Sequence, residues 1–264
     1  MSTEQPAPPW PIPLERKETF LRWADGFAAR EIVNLGRFSE QEPIVLFDCG
    51  ANRGIWTQAF FKCYPNATIF AHLFEPSHKN CNFIRRRHQE VFGPFAAHHT
   101  MKLNEVAVGE HDEPLTLFSD SAGSAMASFV RRPDLPMTLS ETVQAIALDG
   151  YAEREGVERI DLLKLDVEGW EWRALKGAKR LLAEARIGGV LFEFTQCNVF
   201  TRTFFHDLWL MLHPAGFQLF YIDPHQEYRL RPIFEYSGQW EMFWGTSMFY
   251  ARHKTLPVEP VICS

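Results

Sequence analysis

The residues best placed to do chemistry in this chain lie in one glycine-containing segment, Asp48 to Gly54, which follows the apolar run 44–47. This order predicts a buried parallel strand, a tight turn and a helix whose N-terminus faces a ligand above the sheet. Gly50 lets the chain turn sharply, and Gly54 lets the backbone come close to a ligand. Helical N–H groups would hold an anionic group, while Asp48 could accept hydrogen bonds from an amine. The segment fits a ligand with both a carboxylate and an ammonium, although a turn without a ligand has the same pattern.

A second acid narrows the class of ligand. The apolar run 68–74 ends at Glu75, about 20 residues beyond Gly54, where doubly wound sheets bind the hydroxyl groups of a ribose. The spacing from Gly50 to Gly54 matches neither the dinucleotide fingerprint nor the P-loop. The two acids together indicate a nucleoside with an amino-acid end, and S-adenosylmethionine is such a ligand.

Alternating strands and helices must position these residues. Two later apolar runs end in Asp166 and Glu193, and amphipathic segments lie between the runs. This alternation predicts a doubly wound α/β sheet with all four acids at its carboxyl edge. The last β segments, 217–222 and 246–251, suggest an antiparallel hairpin at the sheet edge, and the irregular stretch 119–139 is typical of a functional or mobile loop. The other expected elements are β segments at 103–108, 114–118 and 143–148 and helices within 15–38, 55–64, 77–91, 149–155, 171–185 and 203–212.

Composition limits the classes of function. The chain has 264 residues, is 46% hydrophobic and carries a net charge of −6, which favours a packed globular protein and argues against nucleic-acid or anionic-membrane partners. No apolar run reaches the roughly 18 residues of a membrane span. The five cysteines form no C-x-x-C pair, which suits free thiols in a reducing compartment. Since the N-terminus also lacks the apolar core of a signal peptide, we expect a cytoplasmic protein.

Four motifs together resemble those of a known family. They are FDCGANRG at 47–54, FEP at 74–76, NEVAVG at 104–109 and LKLDVEGWE at 163–171. In this order and spacing they resemble the FkbM family of S-adenosylmethionine-dependent methyltransferases. The last block is the most distinctive, and the resemblance covers about residues 44–222.

The resemblance implies a fold. Members have the class I methyltransferase architecture, a Rossmann-like, doubly wound and mostly parallel sheet of seven strands whose last strand is antiparallel. The chain is then expected to divide into an N-terminal extension with helices (1–40), the methyltransferase domain (41–255) and a tail (256–264).

The resemblance also implies roles for single residues. Asp48, Gly50, Asn52 and Gly54 would hold the methionine part of S-adenosylmethionine, and Glu75 would hold its ribose. The adenine would lie near the third strand and the residues after it, and Asp166 would border the cofactor close to the methyl group. The adenine-side residues are Asn104, Glu105 and Ala107.

The implied reaction is transfer of a methyl group to a hydroxyl of a sugar, polyketide or other natural product. An alcohol is a poor nucleophile at neutral pH, so a base or a metal ion is needed beside it. Asp166 and Glu168 are the leading candidates, although Asp166 could instead cap the next helix and Glu168 could bond to loop backbone. His206 is a further candidate base, or else a histidine on a helix surface. Together with Glu193 the two acids could bind Mg²⁺, but their spacing does not require it and no metal site is predicted.

The acceptor is expected to be a small molecule, bound without nucleic acid or membrane. The stretches 119–139 and 223–245 could form its pocket, a lid or the contact of a homodimer. Two other functions stay open at this point. A nicotinamide-dependent oxidoreductase would use a similar sheet, but its glycine fingerprint is missing. A non-catalytic binding protein could keep the same fold and the same loops.

Overall fold

A computed structural model describes residues 28, 30–35, 38, 42–95, 97–243 and 246–256, which contain eleven strands, seven α-helices, three short 3-10 helices and a helical segment at 30–34. The strands are β1 (Ile44–Cys49), β2 (Ile69–Phe74), β3 (His99–Asn104), β4 (Ala107–Val108), β5 (Glu113–Ser119), β6 (Leu139–Ile146), β7 (Ile160–Leu165), β8 (Ile187–Thr195), β9 (Phe217–Asp223), β10 (Arg229–Ile233) and β11 (Thr246–His253). The helices are α1 (Ile55–Cys63), α2 (His78–Val91), α3 (Leu148–Glu155), α4 (Glu171–Lys176), α5 (Lys179–Ala183), α6 (Cys197–Thr201) and α7 (Phe205–Leu212).

The central sheet has the order β3-β2-β1-β7-β8-β11-β9-β10. Strands β1, β2, β3, β7 and β8 run parallel, and β11 is antiparallel to both of its neighbours. This confirms the expected α/β sheet with an antiparallel last strand, to which β10 adds an eighth strand at the edge. The expected edge hairpin of 217–222 and 246–251 was wrong in its position. The two strands do pair, but β11 lies inside the sheet and β9 forms the edge hairpin with β10.

Apolar side chains cover both faces of this sheet. All six residues of β7 are buried. Leu163 and Leu165 belong to one core cluster with helices α3 to α5 and α7, while Leu162 belongs to a second cluster with α1 and residues 32 and 35. A strand buried on both faces is mostly apolar, as β7 is apart from Asp161 and Lys164, and this is why the four acids at the strand ends stand out in the sequence.

A smaller sheet has the order β4-β6-β5, and its first strand follows β3 closely in the chain. The expected strand at 103–108 is in fact divided between the two sheets, since β3 ends at Asn104 and β4 begins at Ala107. The irregular stretch 119–139 connects β5 to β6 and is fixed at one point by hydrogen bonds between Phe118 and Ser128.

The expected N-terminal extension is described only at residues 28, 30–35 and 38, of which 28 and 30–34 are helical. The expected lead at the N-terminus and the tail after Leu256 lie outside the described residues. In the described ranges, none of the helices has the length and apolar character needed to cross a membrane.

Candidate functional site

Backbone hydrogen bonds tie three loops together at the carboxyl edge of the central sheet. The amides of Gly50 and Ala51 donate to the carbonyl of Phe74, at the end of β2, over 2.9 and 3.1 Å. The amide of Asp166, at the end of β7, donates to the carbonyl of Cys49 over 3.1 Å. The glycine loop (residues 48–54) is therefore held between the loops that carry Glu75 and Asp166.

The two glycines of this loop are required for different reasons. Gly50 has φ +78°, and a Cβ there would lie 1.8 Å from the carbonyl oxygen of Asp166. Gly54 has φ +74°, and a Cβ there would lie 2.9 Å from the ring of Phe92. The side-chain position at Gly54 therefore faces Phe92, and the expectation that its backbone approaches a ligand stays a prediction.

Asp48 supports the loop from below. Its side chain is fully buried, and its oxygens accept hydrogen bonds from Thr57 Oγ1 at 2.6 Å and Lys164 Nζ at 3.2 Å. Burial alone would lower the pKa of Lys164, but Asp166 and Asp48 outweigh it and hold that pKa above its ordinary value. Because the charge of this buried carboxylate is already paired with the Lys164 ammonium, the contact between Asp48 and a ligand amine expected from the sequence stays a prediction.

Glu75 is positioned by three donors of its own chain. Its oxygens accept hydrogen bonds from the amides of Asn52 (2.8 Å) and Ser77 (3.0 Å) and from Asn80 Nδ2 (3.2 Å). Burial raises the pKa of Glu75 to about 7, against the opposing effect of these hydrogen bonds. A carboxylate has about four lone-pair positions, so Glu75 retains acceptor capacity for a ligand hydroxyl.

The three residues expected near an adenine are not equally available. Asn104 Nδ2 donates to the carbonyl of Leu73, and Asn104 Oδ1 accepts from the Tyr151 hydroxyl at 3.2 Å. Glu105 lies half-exposed on the solvent side, where it forms a hydrogen bond with His78 and an ion pair with Arg85, both of α2. Ala107 is buried among the apolar side chains of the smaller sheet, and the expectation that it lies near an adenine stays a prediction.

Three acids meet at the ends of β7 and β8. Asp166, Glu168 and Glu193 are half-buried, and each offers a carboxylate oxygen within 4.8 Å of the others. Burial, together with the charge of Asp166, raises the pKa of Glu168 to about 8. Burial and the same neighbouring acids raise the pKa of Glu193 well above its ordinary value. The structure therefore brings together the three acids that were considered as ligands of Mg²⁺. The raised pKa values of Glu168 and Glu193 mean that protonation of these acids relieves the repulsion among the three carboxylates.

Arg132 is a site residue that the sequence analysis missed. Its side chain is fully buried, and Nη1 donates to Glu168 Oε2 at 3.3 Å and to Cys197 Sγ at 2.8 Å. The thiol of Cys197 donates to the same oxygen of Glu168 at 2.9 Å, and Asp134 pairs with the other side of the guanidinium. The sequence does contain one indication of this role. Arg131 and Arg132 are adjacent basic residues in a stretch otherwise rich in Ser, Ala and Pro, a pattern that fits an ion pair between this stretch and the rest of the protein.

His206 does not join the acids. It is exposed on the first turn of α7, where its ring lies 4.3 Å from the ring of Tyr236 and its amide donates to Glu241. The structure supports the alternative interpretation, a histidine on a helix surface, so the expectation of His206 as a base is corrected.

A family model and two known proteins that resemble this chain all carry the name of a methyltransferase. Residues 48–219 match the family model described as the methyltransferase FkbM domain. A curated relative, 2-O-methyltransferase NoeI of Sinorhizobium fredii (strain NBRC 101917 / NGR234), is 28% identical over 170 residues, which are 60% of this chain and 65% of the relative. The crystal structure of methyltransferase FkbM from Methylobacillus flagellatus KT matches with a TM-score of 0.50 and 15% identity, over 81% of this chain and 44% of that one. The chain thus spans less than two thirds of either protein, and the likeness to the crystal structure is one of fold.

Proposed function

Because this chain belongs to the FkbM family of methyltransferases, we propose that it transfers a methyl group from S-adenosylmethionine to a hydroxyl of a small molecule. The observation that carries the proposal is the frame of three loops, in which the glycine loop lies between Glu75 and Asp166 and is bonded to both strand ends. The name of the relative, a 2-O-methyltransferase, favours an oxygen as the methylated atom.

The residues at the carboxyl edge fit this cofactor. Glu75 has acceptor capacity left for one ribose hydroxyl, and the first turn of α1 presents backbone N–H groups for a carboxylate. The cofactor supplies an electrophilic methyl group bound to a sulfonium. The chain must then hold the acceptor in line and remove its proton.

Glu168 is the proposed proton acceptor. A base works best when its pKa lies near the working pH, and burial places the pKa of Glu168 at about 8. Arg132 and Cys197 hold one of its oxygens, and its backbone has φ +53°, a strained conformation for a residue other than glycine. Asp166 lies beside it and is oriented by Lys164.

The proposed acceptor is a sugar, a polyketide or another natural product. The net charge of −6 and the cluster of acids disfavour a polyanion such as a nucleic acid. The stretch 119–139 contributes Arg132 and the Ser128 hydroxyl, which donates to the carbonyl of Glu168 at 2.9 Å, so we place it beside the acceptor pocket. The proposal includes no metal ion.

Isothermal titration calorimetry with S-adenosylhomocysteine tests the cofactor claim. We expect micromolar binding by the wild type, weakened about tenfold or more in Glu75→Gln because hydrogen bonds to a charged acceptor are lost. Glu90→Gln, an exposed change on α2, is the matched control and should bind as the wild type does. If the wild type does not bind at high micromolar concentration, the proposal fails, and an NADH titration then tests the oxidoreductase alternative.

A further inference from the structure

A buried carboxylate from the N-terminal helical segment (residues 30–34) lies beside the site with an incomplete set of partners. Glu31 is 1% exposed, and its Oε2 accepts one long hydrogen bond from Trp56 Nε1 at 3.4 Å. Its Oε1 has no hydrogen-bond partner among the described residues. Buried polar atoms are nearly always paired, and leaving one unpaired is destabilising. A ligand with a hydrogen-bond donor would complete this group.

Neighbouring residues place Glu31 at the loop frame. Trp56 lies in the first turn of α1, two residues after Gly54. Lys164 Nζ lies 5.7 Å from the centre of the Trp56 ring, and the same ammonium binds Asp48 and Asp166. Glu31 therefore faces the junction between the glycine loop and the loop after β7.

The helical segment that carries Glu31 is fixed to the fold. Ile32 and Leu35 are buried in the core cluster that also contains residues of α1 and β1. Asn34 Nδ2 donates to the carbonyl of Glu227, in the turn before β10, at 2.9 Å. The position of the Glu31 carboxylate is thus set by packing on two sides.

The unpartnered oxygen of Glu31 indicates the charge of the ligand group that would bind there. Asp48 was expected to receive the ammonium of an amino-acid ligand, but its charge is already paired with the ammonium of Lys164, whereas Glu31 Oε1 has no partner among the described residues. We propose that Glu31 binds the ammonium group of the methionine part of the cofactor. This inference rests on the proposed function and adds a residue outside the matched region 48–219 to the cofactor site. Burial raises the pKa of Glu31 to about 8, and a bound ammonium would favour its charged form.

Three ligands that differ in their amino-acid part measure the contribution of the ammonium group to binding. S-adenosylhomocysteine carries it, a desamino analogue lacks only that group, and 5′-methylthioadenosine lacks the whole amino-acid part. We expect Glu31→Gln to weaken S-adenosylhomocysteine about tenfold or more, since a charge-assisted hydrogen bond is lost. The other two ligands should bind the variant and the wild type equally. Glu42→Gln is the matched control, because Glu42 precedes β1 at the opposite edge of the sheet and is exposed.

The outcomes separate this inference from the proposed function. Unchanged binding of S-adenosylhomocysteine by Glu31→Gln overturns the inference alone. An equal loss for all three ligands also overturns it, because Glu31 would then act through the fold or the nucleoside site. A wild type that binds none of the ligands overturns the proposed function and this inference with it. Binding of 5′-methylthioadenosine by the variant reports that it is folded.

Discussion

Replacement of Gly50 by alanine tests whether the loop frame depends on direct backbone contact. The new Cβ would lie 1.8 Å from the carbonyl oxygen of Asp166, and φ at this position is +78°. The obstructing atom belongs to backbone, so no side chain can move to accommodate the methyl group. The loops after β1 and β7 must move apart, which also disturbs the hydrogen bond from Asp166 to Cys49.

The size of the effect follows from comparison with Gly156. That residue has φ +66°, but a Cβ there would meet nothing within 4 Å. Gly156→Ala therefore carries only the left-handed backbone cost, roughly 1–2 kcal/mol. Gly50→Ala adds overpacking of about 1–3 kcal/mol, for a total of roughly 2–5 kcal/mol. For a chain of this size that loss lowers Tm by roughly 4–20 °C.

Urea denaturation and thermal melts of the two variants measure the difference, and calorimetry with S-adenosylhomocysteine adds a functional readout. We expect Gly50→Ala to lose more stability than Gly156→Ala and to bind the ligand more weakly, while Gly156→Ala binds as the wild type does. Equal stability losses in the two variants would refute the backbone-contact argument.

Two further predictions concern buried charges. Arg132→Met should reduce the free energy of unfolding by about 3 kcal/mol, the low end for a broken buried pair, because Asp134 is 34% exposed. Arg87→Met, which breaks an exposed ion pair on α2, should leave the free energy of unfolding in urea unchanged. Similar losses of stability in the two variants would contradict the stabilising role of the buried Arg132 contacts. Burial raises the pKa of Glu171 to about 7 from its ordinary 4.5, so the unfolded chain loses this proton first and stability falls as pH rises between those values. Glu171→Gln should reduce the slope of the free energy of unfolding against pH by the equivalent of up to one proton. An unchanged slope in urea titrations at several pH values would contradict the raised pKa of Glu171.

Local pattern was sufficient for the sheet and for the edge at which the acids meet. Asp48, Glu75, Asp166 and Glu193 each end an apolar run, and the parallel strands bring these ends to one edge. Local pattern was insufficient for the direction of each carboxylate. Whether Asp48 faces a ligand or its own Thr57 depends on the rotation of α1 against β1, which the spacing of glycines does not encode.

Residues distant in sequence from the motifs were harder to find. Arg132 reaches Glu168 across 36 positions from an irregular stretch, and no periodicity marks it. Glu31 resembles a solvent-facing acid in an amphipathic helix, because its burial depends on how that helix packs on α1. The strand β10 contains Pro232, which favours an edge position but gives a weak strand signal.

The pairing of Lys164 with Asp48 joins residues 116 positions apart in the chain. During synthesis the glycine loop leaves the ribosome long before β7 exists, so the first third of the chain cannot hold the cofactor by itself. The central sheet is complete only after β11 has been synthesised, because β11 lies between β8 and β9 but follows both in the chain. The loop frame proposed to bind the cofactor is therefore complete only after most of the chain has been synthesised.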